Sequence, residues 1–170
     1  MTYGTYDLLH YGHIRLPQRA PQLGDYLIVA LSTDEFNTLE GKGNFYPYEV
    51  RIEMPEAIRF VDLVIPENCW EQKMSDSETY HADVVCMGSD WRGDPRFETL
   101  RTKCVVVYFD RTSGISTTDV KTRLGNYLIA TREDSMHLPR LFSLRSAGPS
   151  VKPPSRSSPV HRDQRARNAC

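Results

Sequence analysis

The chain has 170 residues, enough for a single domain with a real hydrophobic core. Its formal net charge of −1 hides an uneven split: from Arg145 onward six Lys/Arg stand against one Asp, which leaves residues 1–144 at −6. Nothing in this balance points to a nucleic-acid binder as a whole. No apolar run approaches the roughly 18 residues that a membrane span needs, and nothing at the N-terminus reads as a signal peptide.

The chain opens on a very short apolar start, residues 1–3, below the typical strand length of about 5–6 residues. Residues 14–23 read as the first helix, although Pro17 and Pro21 fall inside it and an interior proline costs about 3 kcal/mol. Residues 25–31 form a continuous apolar run, as a buried parallel strand requires. Residues 32–47 read as a loop containing Gly41-Lys42-Gly43. Residues 48–60 read as a helix with Arg51, Arg59 and an awkward Pro55. A third strand follows over 61–65, closed by Pro66. Then come a helix over 70–80, strands over 84–87 and 104–109, and a last helix over 119–130. Strands alternating with helices predict right-handed βαβ units around a parallel sheet, with ligands bound beyond the carboxyl ends of the strands.

From Thr131 the pattern dissolves, and residues 145–170 hold four prolines and five serines among basic residues. That composition reads as a disordered tail, with an electrostatic arm for an anionic partner as the alternative. The four cysteines, at 69, 86, 104 and 170, include no CxxC pair, which argues against a zinc site. A reduced, cytoplasmic protein is the simplest reading.

Two stretches carry chemistry. In Thr5-Tyr6-Asp7-Leu8-Leu9-His10-Tyr11-Gly12-His13 the two histidines are three apart, so they share one face of a helix's first turn. A helix N-terminus offers unpaired N–H groups and a positive dipole end, which suits phosphate. By pattern alone the alternative is a pair of solvent-facing histidines near a cap. Arg111-Thr112-Ser113-Gly114-Ile115-Ser116-Thr117-Thr118 places a guanidinium, a glycine and hydroxyls at a second strand-to-helix turn.

The HxGH at 10–13 together with the RTxGIST at 111–117 resembles the nucleotidyltransferase superfamily. More narrowly, residues 2–13, 23–30, 32–37, 70–73, 87–91 and 111–118 resemble the glycerol-3-phosphate cytidylyltransferases, in order over about residues 2–125. The resemblance implies a Rossmann-like three-layer α/β/α fold with a five-stranded parallel sheet whose first strand is truncated. It implies a nucleotidyltransferase domain over 1–130, with the tail at 131–170. The implied reaction joins CTP to glycerol 3-phosphate, giving pyrophosphate and CDP-glycerol, a precursor of teichoic acids. A sister enzyme acting on another phospho-alcohol such as ethanolamine phosphate, or a catalytically impaired nucleotide-binding relative, are the alternatives.

The same resemblance implies His10, His13 and Arg111 as catalytic groups. It assigns Thr5, Tyr6, Asp7, His13, Lys42, Asp90, Arg111, Thr112, Ile115, Ser116 and Thr117 to the nucleotide, and Arg59, Asp62, Trp70 and Lys73 to the acceptor. It implies Mg²⁺ with CTP rather than in a protein cage, and a homodimer without nucleic-acid partners. Two departures stand out: Glu40 replaces a lysine in the loop before Gly41-Lys42, and Ser89 replaces an aspartate. Glu40, Pro17, Pro21, Pro55 and the short start argue for reduced activity.

Overall fold

The computed structural model describes the backbone of residues 1–135 and the side chains of residues 1–129. Five parallel strands are β1 (Thr2–Gly4), β2 (Ile28–Ser32), β3 (Leu63–Glu67), β4 (Val84–Gly88) and β5 (Val105–Phe109). The helices are α1 (Tyr11–Arg19), α2 (Asp34–Leu39), α3 (Tyr48–Glu56), α4 (Gln72–Thr79), α5 (Pro95–Glu98) and α6 (Thr117–Ser135). Short 3₁₀ turns cover Ala20–Gln22, Ser89–Trp91 and Thr99–Thr102.

The strand ladders form a three-stranded unit, β1-β2-β3, and a two-stranded unit, β4-β5. Met1 stitches them together. Its amine donates to Val84 O at 2.7 Å and its carbonyl accepts from Cys86 N at 2.9 Å. The order is therefore 3-2-1-4-5, with the topological switch between β1 and β4, where ligands bind in such sheets. The first strand is as short as the sequence implies; it pairs with β2, and the residue before it, Met1, carries the bonds to β4.

Period-2 alternation sorts the core into two faces. Ile28, Ala30, Ile65, Val85, Met87 and Val106 face one way and pack with Phe97 of α5 and Met74 of α4. Val29, Leu31, Val64, Cys86 and Val107 face the other way and pack with Leu16 of α1 and Ile52 of α3. This is the three-layer α/β/α arrangement. All five residues of β2 are buried, as its unbroken apolar run predicts.

Several element boundaries differ from the sequence expectation. α1 begins at Tyr11 rather than 14, because His10 caps it. Pro17 lies inside the helix, fully buried, and its missing N–H leaves the His13 carbonyl without an i+4 donor. Pro21 sits in the 3₁₀ turn that ends the helix, where its fixed φ is tolerated. Residues 32–47 are not all loop. Thr33 accepts a hydrogen bond from Phe36 N, and Asp34 and Glu35 occupy the first turn of α2, a start signature that was legible. β3 continues through Pro66 to Glu67, because an edge strand can leave its outer side without an N–H. α6 runs to Ser135, past the expected boundary at 130. The expected tail lies, from 136, outside the described residues.

Candidate active site

The loop from β1 to α1 is held in an unusual path. Tyr6 and Leu8 adopt positive φ, 49° and 48°, a region that bulky side chains rarely occupy. Burial and polar anchors over-determine it. Tyr6 and Leu8 are buried. The fully buried Arg51 donates to Thr5 O at 2.7 Å and to Tyr46 O at 3.1 Å, and pairs with Asp34 at 2.6 Å. The Thr5 hydroxyl lies between Ser32 Oγ at 3.1 Å and Asn37 Oδ1 at 3.4 Å. Asp7 accepts from Phe45 N at 2.8 Å and Tyr46 N at 3.1 Å, and pairs with Lys121 of α6 at 3.0 Å. Burial pushes the Asp7 carboxyl up, but these amides and Lys121 outweigh it and hold it below the ordinary range.

The strained loop delivers the two histidines. His10 Nδ1 accepts from Gly12 N at 3.1 Å, and His13 Nδ1 accepts from His10 N at 3.4 Å. A backbone amide only donates, so each Nδ1 carries its lone pair and each neutral ring keeps its proton on Nε2. The rings stack at 3.9 Å and 18°, and Tyr6 stacks behind His13 at 5.2 Å. Burial, reinforced by His10, lowers the His13 pKa to about 3; burial and then Arg111 lower that of His10. Both rings are therefore neutral Nε2–H donors near pH 7. Gly12 is required sterically, since a Cβ there would lie 2.9 Å from the His10 ring and 3.3 Å from Ile115 Cγ2. The close approach is made by the chain itself.

The second turn closes on the first. Tyr11 Oη donates to Ser113 O at 3.1 Å. Thr117 Oγ1 donates to Asp7 O at 3.3 Å and lies 3.5 Å from His10 Nε2. Ser116 caps α6, accepting from Asp119 N at 3.0 Å and donating to its carboxylate at 2.6 Å. Arg111, more than half exposed, faces Asp90 at 3.6 Å. Gly88 leaves room for that carboxylate, because a Cβ would lie 2.4 Å from Asp90 Oδ1. Between the two turns is a cavity of about 230 Å³ at the carboxyl ends of β1, β4 and β5, walled on its far side by Met87 and Trp91.

The profile of the cytidylyltransferase-like family matches residues 1–123. The chain belongs to that family. A glycerol-3-phosphate cytidylyltransferase of Staphylococcus aureus is 59% identical over 124 residues, 73% of this chain and 92% of that protein. One of Bacillus subtilis is 54% identical over 124 residues, 73% and 95%. A solved lipopolysaccharide core biosynthesis protein of Thermoplasma volcanium superposes with a TM-score of 0.59 at 22% identity, over 66% of this chain and 96% of that one, a likeness of fold.

In this cytidylyltransferase-like chain, eight of the residues singled out from the sequence line this cavity: His10, His13, Asp90, Arg111, Thr112, Ile115, Ser116 and Thr117. Thr5, Tyr6 and Asp7 are not on its wall. They brace it from behind: the polar groups of Thr5 and Asp7 are already engaged within the chain, and the Tyr6 ring stacks on His13. Lys42 lies to one side, its ammonium 5.8 Å from the Trp91 ring.

The acceptor assignments fare differently. Asp62 accepts from Leu27 N at 2.7 Å, just before β2, and Arg59 lies over its neighbour Phe60 at 4.5 Å, between α3 and β3. Both are at the amino ends of the strands, the pole opposite the cavity, because they precede β3 rather than follow it. Lys73 is only 1% exposed. It faces inward from α4, hydrogen-bonds Glu67 and lies 4.0 Å from the centre of the Trp70 ring. Burial pushes its ammonium down and the Glu67 carboxyl up. Lys73 is thus a buried, already paired cation. Trp70 packs on Trp91 at 5.6 Å and reaches the cavity only through it.

Proposed function

We propose that this chain transfers the cytidylyl group of CTP to sn-glycerol 3-phosphate, giving CDP-glycerol and pyrophosphate. The observation that carries the reading is the 59% identity running through 92% of the Staphylococcus aureus glycerol-3-phosphate cytidylyltransferase. A phosphate oxygen of the acceptor attacks the α-phosphorus of CTP, and the bond to the pyrophosphate oxygen breaks. The nucleophile is already an anion, so a general base is unnecessary, and catalysis rests on alignment and charge stabilisation.

The residues of the cavity suit that task. His10 and His13, locked with Nδ1 as acceptor, present Nε2–H donors to the reacting phosphate without needing to be charged. The N-termini of α1 and α6 supply oriented N–H groups and their dipoles. Arg111 is an exposed cation held only at 3.6 Å by Asp90, so it is free to swing onto the triphosphate.

Mg²⁺ would accompany CTP and neutralise part of the triphosphate charge. Asp90 and Asp110 are the carboxylates on the cavity wall. Among the described residues no group of three or more His, Cys, Asp or Glu is placed to cage an ion. That donor set fits an ion held mainly by phosphate oxygens and water, with Asp90 or Asp110 contributing at most one ligand.

The reading extends to a homodimer in the cytoplasm feeding wall-polymer synthesis; no helix among the described residues is long and apolar enough to cross a membrane. The deciding experiment incubates the protein with CTP and glycerol 3-phosphate and follows pyrophosphate and CDP-glycerol. ATP and ethanolamine phosphate are the controls. Faster turnover with ethanolamine phosphate, or none with either acceptor, overturns the assignment.

A further inference from the structure

Glu40 stands where the family resemblance calls for a lysine, and the buried Lys73 is already matched by Glu67. Of the two cations assigned to the acceptor, Lys73 is thus neutralised and Arg59 lies at the opposite pole, over Phe60. A different cation occupies that side. The Arg96 guanidinium lies 3.8 Å from the centre of the Trp70 ring and 5.6 Å from that of Trp91, the residue that also walls the cavity. Asp94 grips two of its nitrogens, Nε at 2.9 Å and Nη2 at 2.6 Å. Stacked on one side and forked on the other, the group is pre-oriented, so little rotamer freedom remains to be lost on binding.

Its third nitrogen is the one left open. Nη1 faces Glu40 Oε2 at 4.0 Å, an ion pair too long for a hydrogen bond, with both side chains partly exposed. Lys42 is a second cation against the same aromatic wall, 5.8 Å from Trp91, and makes no ion pair within 4 Å among the described residues. Among the described residues the Trp70 indole N–H is buried without an acceptor, so the cluster's hydrogen bonding is incomplete among them.

We propose that Arg96 is the cation of this chain that receives the acceptor's phosphate, through its open Nη1 edge, and that Glu40 is the weak intramolecular anion the phosphate displaces. The proposal rests on the phospho-alcohol acceptor of the function proposed above. It adds a residue with no counterpart among the motifs that carry the family resemblance. It also gives Glu40 a partner, so the carboxylate that sequence alone marks as a defect becomes a placeholder.

The test uses a built-in reporter, because Trp70 and Trp91 are the chain's two tryptophans and both belong to this cluster. Tryptophan emission of the full chain is titrated with glycerol 3-phosphate, inorganic phosphate and glycerol. A saturable response to both phosphates and none to glycerol is expected. Arg96→Gln should weaken the glycerol 3-phosphate response about tenfold or more, Arg96→Lys less, and Glu40→Gln should strengthen it. In turnover, Arg96→Gln should raise KM for glycerol 3-phosphate by a similar factor and leave KM for CTP within about twofold. Three results overturn the proposal: no emission response of the parent to either phosphate, an Arg96→Gln titration like the parent's, or an equal rise in both KM values. A parent that binds both phosphates in an Arg96-dependent way but releases no pyrophosphate with CTP refutes the proposed function and leaves the Arg96 site standing.

Discussion

Acidification from pH 7 to pH 5 should destabilise the domain through His13. Unfolded, a histidine titrates near its ordinary value of about 6.5; folded, burial and the stacked His10 ring lower that of His13 to about 3. Between those two values the unfolded chain binds a proton that the folded chain refuses, so stability falls as pH falls. The loss starts near the unfolded pKa and is complete only near the folded one. Two units of acidification therefore remove about 2 kcal/mol, which for a domain of this size lowers Tm by roughly 6–10 °C. His10, shifted in the same direction, adds to the loss, while Glu67, shifted upward, opposes it.

The comparison that isolates His13 is His13→Gln, which cannot titrate. Thermal melts at pH 7 and pH 5 on both proteins give two pH-induced shifts, and the parent's should exceed the variant's by most of the predicted 6–10 °C. Equal shifts would mean that His13 titrates normally, and the neutral Nε2–H donor pair would fall with it.

Other perturbations follow from the same geometry. His10→Ala or His13→Ala should each lower kcat by about 10²-fold or more, the scale for losing a transition-state donor, as read by pyrophosphate release; near-full turnover in both would remove the histidines from the chemistry. Arg51→Met should leave the Thr5 and Tyr46 carbonyls without their donor and Asp34 without its partner, costing roughly 3–4 kcal/mol after allowance for the exposure of Asp34. A melting point lowered by about 10 °C or more is expected; a shift of a few degrees would mean that water replaces the guanidinium. Lys121→Met should raise the Asp7 pKa toward its unfolded value, so thermal melts should show the variant less stable than the parent at pH 7 and the difference shrinking as Asp7 is protonated in acid; a difference that stays constant with pH would refute the ion pair's role.

The strand-helix alternation, the parallel sheet and the pairing of the two strand-to-helix turns were legible, because each rests on local pattern: an apolar run, a glycine, hydroxyls before a helix. What escaped depends on side chains reaching across the fold. Nothing in the sequence near Arg51 says that its guanidinium crosses to Thr5 and Asp34, or that Lys121, 114 positions on, pairs with Asp7. Arg59 and Asp62 illustrate the converse error. They lie close in sequence to a strand, but at its beginning, and in a parallel sheet the two ends of one strand are opposite poles of the molecule.

The features that sequence alone presents as defects also lose force once their surroundings are known. Pro17 removes one helical hydrogen bond, at a cost of up to about 3 kcal/mol, but its ring is fully buried and returns part of that through packing. Pro55 falls in the last turn of α3, where the chain turns away within two residues and the Pro55 carbonyl accepts from Ile58 N. The three-residue β1 gains the two Met1 hydrogen bonds that join the sheet. None of these alters the Nδ1 contacts of His10 and His13 or the capping of α6, which rest on the loop from Thr5 to Leu9 and on Ser116. The helix irregularities are absorbed on the α1 and α3 side of the sheet, whereas the cavity is built from the turns at the strand ends. Glu40 belongs to neither group, and its nearest cation is Arg96 rather than any residue lining that cavity. Its effect should accordingly fall on the acceptor and not on CTP.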